Sequence, residues 1–511
     1  MNKATAEERI MQNLPSPSAQ ATDFLSAPHL LLIDGQWVEG RSQPIAIENP
    51  CRETTITHVS AASAEDVDRA VRAARAALDG PWGMMTPRER GVIMMRFADL
   101  LDENAPLVAE VMALDNGQPV SSCVMVVRLL AVELMRYYAG WATKIAGESF
   151  TPSLGGSRAD QDFLVSTLRE PIGVVGAIVP WNAPAGMMAL KLGPALAAGC
   201  TIVLKTAELA PLTGEFFGRL LQEAGLPDGV FNMLHGLGHE AGAAMAAHPG
   251  IDKITFTGSA AVGRQIVQAA CGNLKKVTLE LGGKSPVIVF PDADLNQLVP
   301  AAAGACFVAS GQACMAGTRL FVHDAIYEEV VARVADFADG MKLGDALCSD
   351  TVLGPLISAR QRQRVEDYIQ IGQEQGARIA NNPQSWEDRG HFVAPVVFAD
   401  ATADMRIAQE EIFGPVLTAI RFTDEESLLR DVNSTEYGLS GSVWTKDIQR
   451  ALRIARKVDS GQVGINIHAA VSPETPFGGN RQSGWGREFG KEGLDPYLKT
   501  KAISINLGQR R

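Results

Sequence analysis

The sequence predicts an α/β protein: a doubly wound parallel sheet, then a second α/β region, with a β arm built from an internal hairpin and the C-terminal strand. Three observations carry this. Residues 172–281 hold apolar runs at 172–179, 201–205, 229–234, 253–257 and 277–280, with helical stretches between them. Apolar runs alternating with helices are the pattern of parallel strands joined by crossovers. Residues 282–484 continue as α/β text, marked by the loops Glu410-Glu411-Ile412-Phe413-Gly414-Pro415-Val416 and Pro476-Phe477-Gly478-Gly479. Residues 149–170 instead read as polar strands around Leu154-Gly155-Gly156-Ser157, a turn signal, and 499–507 alternates polar and apolar like a strand.

The elements in order begin with residues 1–27, which are polar, contain Pro and Ser and lack the apolar core of a signal peptide; they read as a disordered or loosely docked tail. From 30 to 148 short strands alternate with amphipathic helices. One helix, at 63–78, has Ser63 at its N-cap, acids in its first turn and an Ala/Val face. Within the sheet region, Gly236-x-Gly238-x-x-x-Gly242 follows the third strand with the wrong spacing for a dinucleotide fingerprint and reads as a turn. A better phosphate candidate is Phe256-Thr257-Gly258-Ser259-Ala260-Ala261-Val262-Gly263, where a strand passes through glycine into a helix. Backbone N–H groups and the helix dipole then face an anion.

Composition narrows the function. A chain of 511 residues has room for more than one domain and a large core, and 46% hydrophobic residues fit a globular protein. The formal charge of −12, with no basic block, argues against nucleic acid and against an anionic membrane surface. No apolar run is long enough for a membrane span, which leaves a small molecule as the default partner. Seven scattered cysteines with no C-x-x-C fit a reducing compartment, hence the cytoplasm, and neither a disulfide framework nor a zinc site. His235 and His239 stand one helical turn apart, but no third ligand accompanies them, so no metal is expected.

The chemistry concentrates between Thr278 and Arg319. Leu279-Glu280-Leu281-Gly282-Gly283-Lys284 is a β-type run that stops at a glycine pair, which puts the Glu280 carboxylate at a strand end, where α/β enzymes place chemistry. Gly311-Gln312-Ala313-Cys314-Met315-Ala316-Gly317 is a small-residue turn that leaves room around the Cys314 sulfur. A lone cysteine is most often a buried structural thiol. Here the two motifs occur together, in an order and separation that resemble the aldehyde dehydrogenase superfamily.

That resemblance extends from about Leu32 to the C-terminus and assigns roles residue by residue. Cys314 corresponds to the nucleophile, Glu280 to the general base, and Asn182, in Pro180-Trp181-Asn182, to the side-chain amide of the oxyanion hole, a neutral donor suited to developing charge. Lys191 and Glu488 match a pair that relays protons from the base; a buried Lys–Glu pair can also be purely structural. Lys205-Thr206-Ala207-Glu208 matches the segment whose Lys and Glu hold the adenosine ribose, with Thr206 where proline is usual. Glu411 and Phe413 match the residues at the nicotinamide ribose and ring, and Trp181, Gly258, Ser259, Val262 and Leu281 complete the cofactor set. Alignment through Asn182 implies a substrate tunnel of Ala183, Met187, Leu190, Met315 and Phe477, all uncharged, which suits an apolar aldehyde. Arg481 stands where the family usually has lysine, at a structural position.

The resemblance implies oxidation of an aldehyde to the carboxylic acid with reduction of NAD, NADP being possible, through a Cys314 thioester hydrolysed by water that Glu280 activates. A relative that hands the acyl group to coenzyme A would share the fold and the cysteine, but Glu280 speaks against it. A non-catalytic structural or binding relative would be expected to have lost Cys314 or Asn182, and both are present. The expected division is a tail (1–29), an NAD-binding domain (30–148 and 171–281), a catalytic domain (282–484) and an oligomerisation arm (149–170 and 485–511) of a homodimer or homotetramer.

Overall fold

The computed structural model describes residues 15–154, 158–386 and 389–509. Each predicted run of the first sheet is a strand: Val174–Ile178, Thr201–Lys205, Phe231–Leu234, Lys253–Thr257 and Lys276–Glu280. They pair in parallel, in the spatial order 276–280, 253–257, 174–178, 201–205, 231–234. The first four named are buried along their whole length. Helices cover both faces, which is why the runs are continuously apolar instead of alternating. Each fully buried Ile, Leu or Val there contributes roughly 1.5–3 kcal/mol of transfer free energy.

The strand order reverses beside Val174–Ile178: the chain proceeds to one side through 201–205 and 231–234, then returns to the other side at 253–257. Such a reversal leaves a crevice at the carboxyl ends of the two central strands, and open α/β sheets bind ligands there. The segments leaving those ends are Val179 to Ala183 and Gly258-Ser259, so the topology points the Asn182 loop and the glycine–helix turn at one opening.

Antiparallel strands extend both edges of this sheet, Leu31–Ile33 and Gln36–Val38 on one side and Gly484–Trp485 on the other. Gly484–Trp485 pairs with Leu279 and Glu280, so the chain returns to the first sheet after building the second. Two residues carry no periodicity, and a sequence boundary at 484/485 does not foresee the return.

The second sheet runs Arg378–Ile379, Val396–Ala401, Val416–Phe422, Arg319–His323, Pro286–Val289, Ser442–Trp444, Gly464–Ile465, parallel except for its first pair. A third sheet joins Ser149–Phe150, Gln161–Pro171 and Leu498–Gln509 in antiparallel register. It contains the expected C-terminal strand; Gly155, Gly156 and Ser157 of the expected turn lie outside the described residues.

Two expectations change. The strands and helices of 30–148 do not alternate. The strands come first, at 31–61, and helices follow from Ala64 to Trp141, continued through a π-helical segment at Val126–Val132. Capping boxes at Ser63/Asp66 and Thr86/Glu89 start the first two long helices with short loops before them, leaving no strand-length gap. The tail is not loose from residue 15 onward: Ser18 caps a helix at Ala19–Ser26, Ala21 is fully buried, and the Phe24 ring stacks on Phe216 at 4.5 Å. Residues 1–14 lie outside the described residues. Among the described residues no helix is long and apolar enough to cross a membrane.

Candidate active site

Cys314 sits on a loop whose backbone is forced into shape before it reaches the sulfur. Ala309, Ser310 and Gly311 all have positive φ, at 53°, 55° and 72°. A Cβ on Gly311 would lie 2.1 Å from the Gly414 carbonyl oxygen, so only glycine fits. Ser310 Oγ donates to the Gly354 carbonyl at 2.6 Å, and Gln312 Oε1 accepts from the Ile357 N–H at 3.0 Å. Asn182 then crosses from the first sheet: its Nδ2 donates to the Gln312 carbonyl at 2.8 Å, two residues before the cysteine. An amide nitrogen has a second N–H, which this bond leaves free. Gln118 Nε2 donates to the Asn182 carbonyl and fixes the loop from behind.

Glycine also lets the two halves of the motif meet. A Cβ on Gly283 would lie 2.6 Å from the Cys314 carbonyl, and one on Gly282 would lie 2.1 Å from Glu411 Oε2. Glu411 therefore rests on the glycine pair, with its Oε1 accepting from the Gly283 N–H at 3.0 Å. Burial raises the Glu411 carboxyl above its ordinary value, against the pull of that N–H.

Glu280 ends its strand as the sequence implies, and its carboxylate is buried with neither oxygen hydrogen-bonded among the described residues. Its Oε1 lies against Gly478, where a Cβ would be 2.6 Å away and φ is 151°. Burial pushes the Glu280 carboxyl well above the usual range, Glu488 pushes it further, and Lys191 and Arg487 pull it back. The Cys314 thiol is pushed up to about 12, first by burial and then by the charges of Glu280 and Glu411, while backbone N–H groups of Met315 and Cys314 oppose this.

Behind Glu280, Lys191 and Glu488 form a buried ion pair. Lys191 Nζ also donates to Thr257 Oγ1 at 2.7 Å, and Thr255 Oγ1 donates to Glu488 Oε1 at 3.3 Å. The two threonines lie on the strand next to that of Glu280, and Glu488 exchanges backbone hydrogen bonds with Phe477 at 2.7 and 2.8 Å. The structure thus brings Cys314, Glu280, Asn182, Lys191 and Glu488 into one neighbourhood.

Several of the cofactor candidates lie at or just beyond the carboxyl ends of the first sheet's strands. Lys205, at the end of its strand, donates to Glu208 Oε2 at 3.1 Å; burial lowers its ammonium below the ordinary value, against Glu208. Ser259 caps the helix Ala260–Ala270, its Oγ accepting from the Val262 N–H, and Val262 is 42% exposed. The Gly258 N–H is not available to an anion, since it donates to the Glu280 carbonyl at 3.0 Å. What Gly258 provides is space, because a Cβ there would lie 2.4 Å from the Phe256 ring. Leu281 is buried against Gly263. Trp181 meets Phe413 edge to face at 5.5 Å, with Phe413 held at a positive φ of 60°.

Of the tunnel candidates, Met187, Leu190, Met315 and Phe477 pack with Cys314 on one apolar core, while Ala183 is the N-cap residue of the helix Pro184–Ala198. Leu190, at 2% exposure, is wall and not open surface. Arg481 donates to the Asn433 and Thr435 carbonyls, each at 2.8 Å, a structural role. His235 is fully buried and His239 is exposed, so the two do not converge.

Several residues near the site carry no motif that announces them. Gly238 and Gly242, whose spacing reads as a turn, instead bound a π-helical segment and lie against Glu208 and Lys205 respectively, at 3.9 and 3.6 Å from an added Cβ. Their position after a strand of the parallel sheet was the available signal. Gln118 and His468, whose Nε2 lies 2.9 Å from the Met315 carbonyl, are far from the motifs in sequence and gave none.

The pattern matches known proteins over nearly its whole length. The family model described as the aldehyde dehydrogenase family matches residues 37–503. An aldehyde dehydrogenase of Emericella nidulans is 44% identical over 480 residues, covering 94% of this chain and 95% of that protein. Aldehyde dehydrogenase 1A1 of Ovis aries is 40% identical over 503 residues, covering 97% and 99%. Among solved structures, an NAD+ complex of aldehyde dehydrogenase from Bacillus cereus superposes with a TM-score of 0.92 at 41% identity, over 96% of this chain and 99% of that one. The chain belongs to the aldehyde dehydrogenase family.

Proposed function

We propose that the protein oxidises an apolar aldehyde to its carboxylic acid, with NAD as hydride acceptor, through a thioester on Cys314. The observation that carries this reading is the convergence at one crevice of a nucleophile, an amide with a spare N–H and a buried, unpaired carboxylate. Cys314 attacks the carbonyl as a thiolate, its proton having passed to solvent water, because the thiol is a poor nucleophile and burial pushes it up to about 12. The resulting alkoxide is stabilised by the free Asn182 N–H and the Cys314 backbone N–H. When bound, NAD supplies the hydride acceptor. Once ionised, Glu280 takes a proton from the water that hydrolyses the thioester; burial makes the ionised form scarcer but a stronger base. Lys191 and Glu488 pass that proton onward.

Several features support the cofactor: the Lys205–Glu208 pair beside Gly238 and Gly242, the capped helix end with exposed Val262, the Glu411 carboxylate on its glycine shelf and the Trp181–Phe413 corner. NAD is preferred over NADP, because a 2′-phosphate would approach the Glu208 carboxylate. The same reading keeps the division into a cofactor part (30–148 and 171–281), a catalytic part (282–484) and an arm (149–170 and 485–511) that assembles a homodimer or homotetramer, except that Gly484–Trp485 returns to the first sheet and Glu488 to the active site before the arm strand Leu498–Gln509 begins.

The test is a steady-state panel of acetaldehyde, aromatic, terpenoid and semialdehyde substrates with NAD and NADP, with and without coenzyme A, identifying the product. Free acid from apolar aldehydes, with higher efficiency than from acetaldehyde, is expected. Acyl-coenzyme A as the main product would contradict the hydrolytic step.

A further inference from the structure

We propose that a buried chain of side chains, His29–Glu215–His235–Thr206, positions the loop bearing Lys205 and Glu208 and so ties cofactor affinity to the docked N-terminal segment. This rests on the reading that Lys205 and Glu208 hold the cofactor.

Glu215 belongs to the helix Thr213–Glu223, where its neighbours Phe216 and Phe217 serve the core. A leucine would suit such a position, yet a carboxylate lies there at 0% exposure, between His29 at 3% and His235 at 0%. Burying a charge costs several kcal/mol unless partners hold it, so the partners are specific. His29 Nδ1 donates to Glu215 Oε1 at 2.7 Å, and Arg219 donates to Oε2 at 3.2 Å. His235 Nε2 stands 3.8 Å from the same Oε1, beyond hydrogen-bond distance and without another partner among the described residues, and burial lowers the His235 imidazole below its ordinary value, so the two groups are in contact but not bonded. Burial alone would raise the Glu215 carboxyl, but the two imidazoles bring it down to about 2.

Each end of the chain of contacts is anchored. At one end, His29 lies 5.1 Å from the Phe24 ring, on the docked N-terminal helix, and accepts at its carbonyl from the Ser60 N–H at 2.9 Å. At the other, His235 Nδ1 lies 2.8 Å from Thr206 Oγ1. Thr206 stands between the two proposed cofactor contacts, and its carbonyl accepts from Lys205 Nζ at 3.0 Å. Its methyl group fills space that a Cβ on Gly214 would need, at 2.5 Å from Thr206 Cγ2, and its hydroxyl also lies 3.4 Å from the Leu234 carbonyl. The position that carries proline in the resemblance is here held by a side-chain bond instead of a ring.

The experiment compares NAD dissociation constants, KM values for NAD and aldehyde, and thermal midpoints across a set of variants. Thr206→Val keeps the shape and deletes the hydroxyl with its contacts to His235 Nδ1 and the Leu234 carbonyl, and is expected to weaken NAD by about three- to tenfold without raising the aldehyde KM. Thr206→Ser keeps the hydroxyl and is expected to restore affinity. Glu215→Gln, one step further along, should weaken NAD in the same direction, and the double variant Thr206→Val/Glu215→Gln should be no weaker than Thr206→Val, since both cut the same connection. Unchanged NAD affinity in Thr206→Val, with or without a lowered thermal midpoint, would overturn the proposal; so would losses that multiply in the double variant. If Thr206→Val does not fold, Glu215→Gln decides alone by the same criterion. Glu208→Gln separates the two readings: no effect there removes the cofactor loop itself, whereas a loss there with none at Thr206 or Glu215 removes only the positioning chain.

Discussion

In the proposed mechanism Cys314 has to lose its proton before it attacks and Glu280 has to be ionised before it can take one, in surroundings that hinder charge at both. Burial and the neighbouring carboxylates hold the Cys314 thiol at about 12, and burial with Glu488 holds the Glu280 carboxyl well above its ordinary range. The stability consequence has a definite sign. The folded state keeps the Glu280 proton at pH values where the unfolded chain has lost it, so stability falls as pH rises above the ordinary carboxylate value. Glu280→Gln removes this slope, and its denaturant midpoint should gain on that of the wild type as pH rises; identical pH profiles would mean that the carboxyl is not held protonated. Cys314→Ala should lower turnover by orders of magnitude while NAD binding stays measurable, because it removes the nucleophile and little volume; more than residual turnover would exclude the covalent route. At Glu208, a 2′-phosphate brings like charges together at a cost on the order of 1 to 4 kcal/mol. Efficiency with NAD should exceed that with NADP by about tenfold or more, and equal values would show that Lys205 dominates.

The elements around these residues were legible where the sequence repeats a physical pattern and illegible where one residue acts alone. The parallel strands read clearly because each is apolar throughout, and Ser63 announced its helix because its capping box is local in sequence. The docked Ala19–Ser26 helix was hidden by polar text, its burial resting on a few residues such as Ala21. The return of Gly484–Trp485 had no pattern to read. The proposed catalytic residues stand in motifs that the sequence shows, but the residues that support them do not: Gln118 and Gly478 reach Asn182 and Glu280 only through tertiary contact. Gly478 makes a sharp test at this scale. Gly478→Ala places a methyl group 2.6 Å from Glu280 Oε1 at a φ of 151°, and should cost about 1–3 kcal/mol of stability while lowering turnover by displacing the base. A variant with wild-type stability and turnover would show that Glu280 is held elsewhere.

At the scale of the whole molecule, the topology brings together what the sequence separates. The crevice at the strand-order reversal receives the Asn182 loop, the Gly258 turn and Glu280 from the first sheet, while Cys314 and Glu411 arrive from the second region. The three-stranded sheet stands apart from this, with Leu498–Gln509 exposed along nearly its whole length and Ile503, Ile505 and Leu507 open to solvent. Long exposed edges invite pairing with another chain, so light scattering at micromolar protein should give a dimer or tetramer, and a monomer would remove the assembly role of the arm.

The central claim is that Cys314 carries an acyl group that Glu280 releases by activating water. A rapid-quench measurement of NADH on the Glu280→Gln variant tests it most directly. Glutamine keeps the shape but accepts no proton, so a burst near one NADH per active site is expected, followed by turnover slower than the wild type by roughly 10²- to 10⁴-fold, with the acyl group found on Cys314. Wild-type turnover without a burst, or a burst slowed as much as turnover with no acyl group on Cys314, would contradict it.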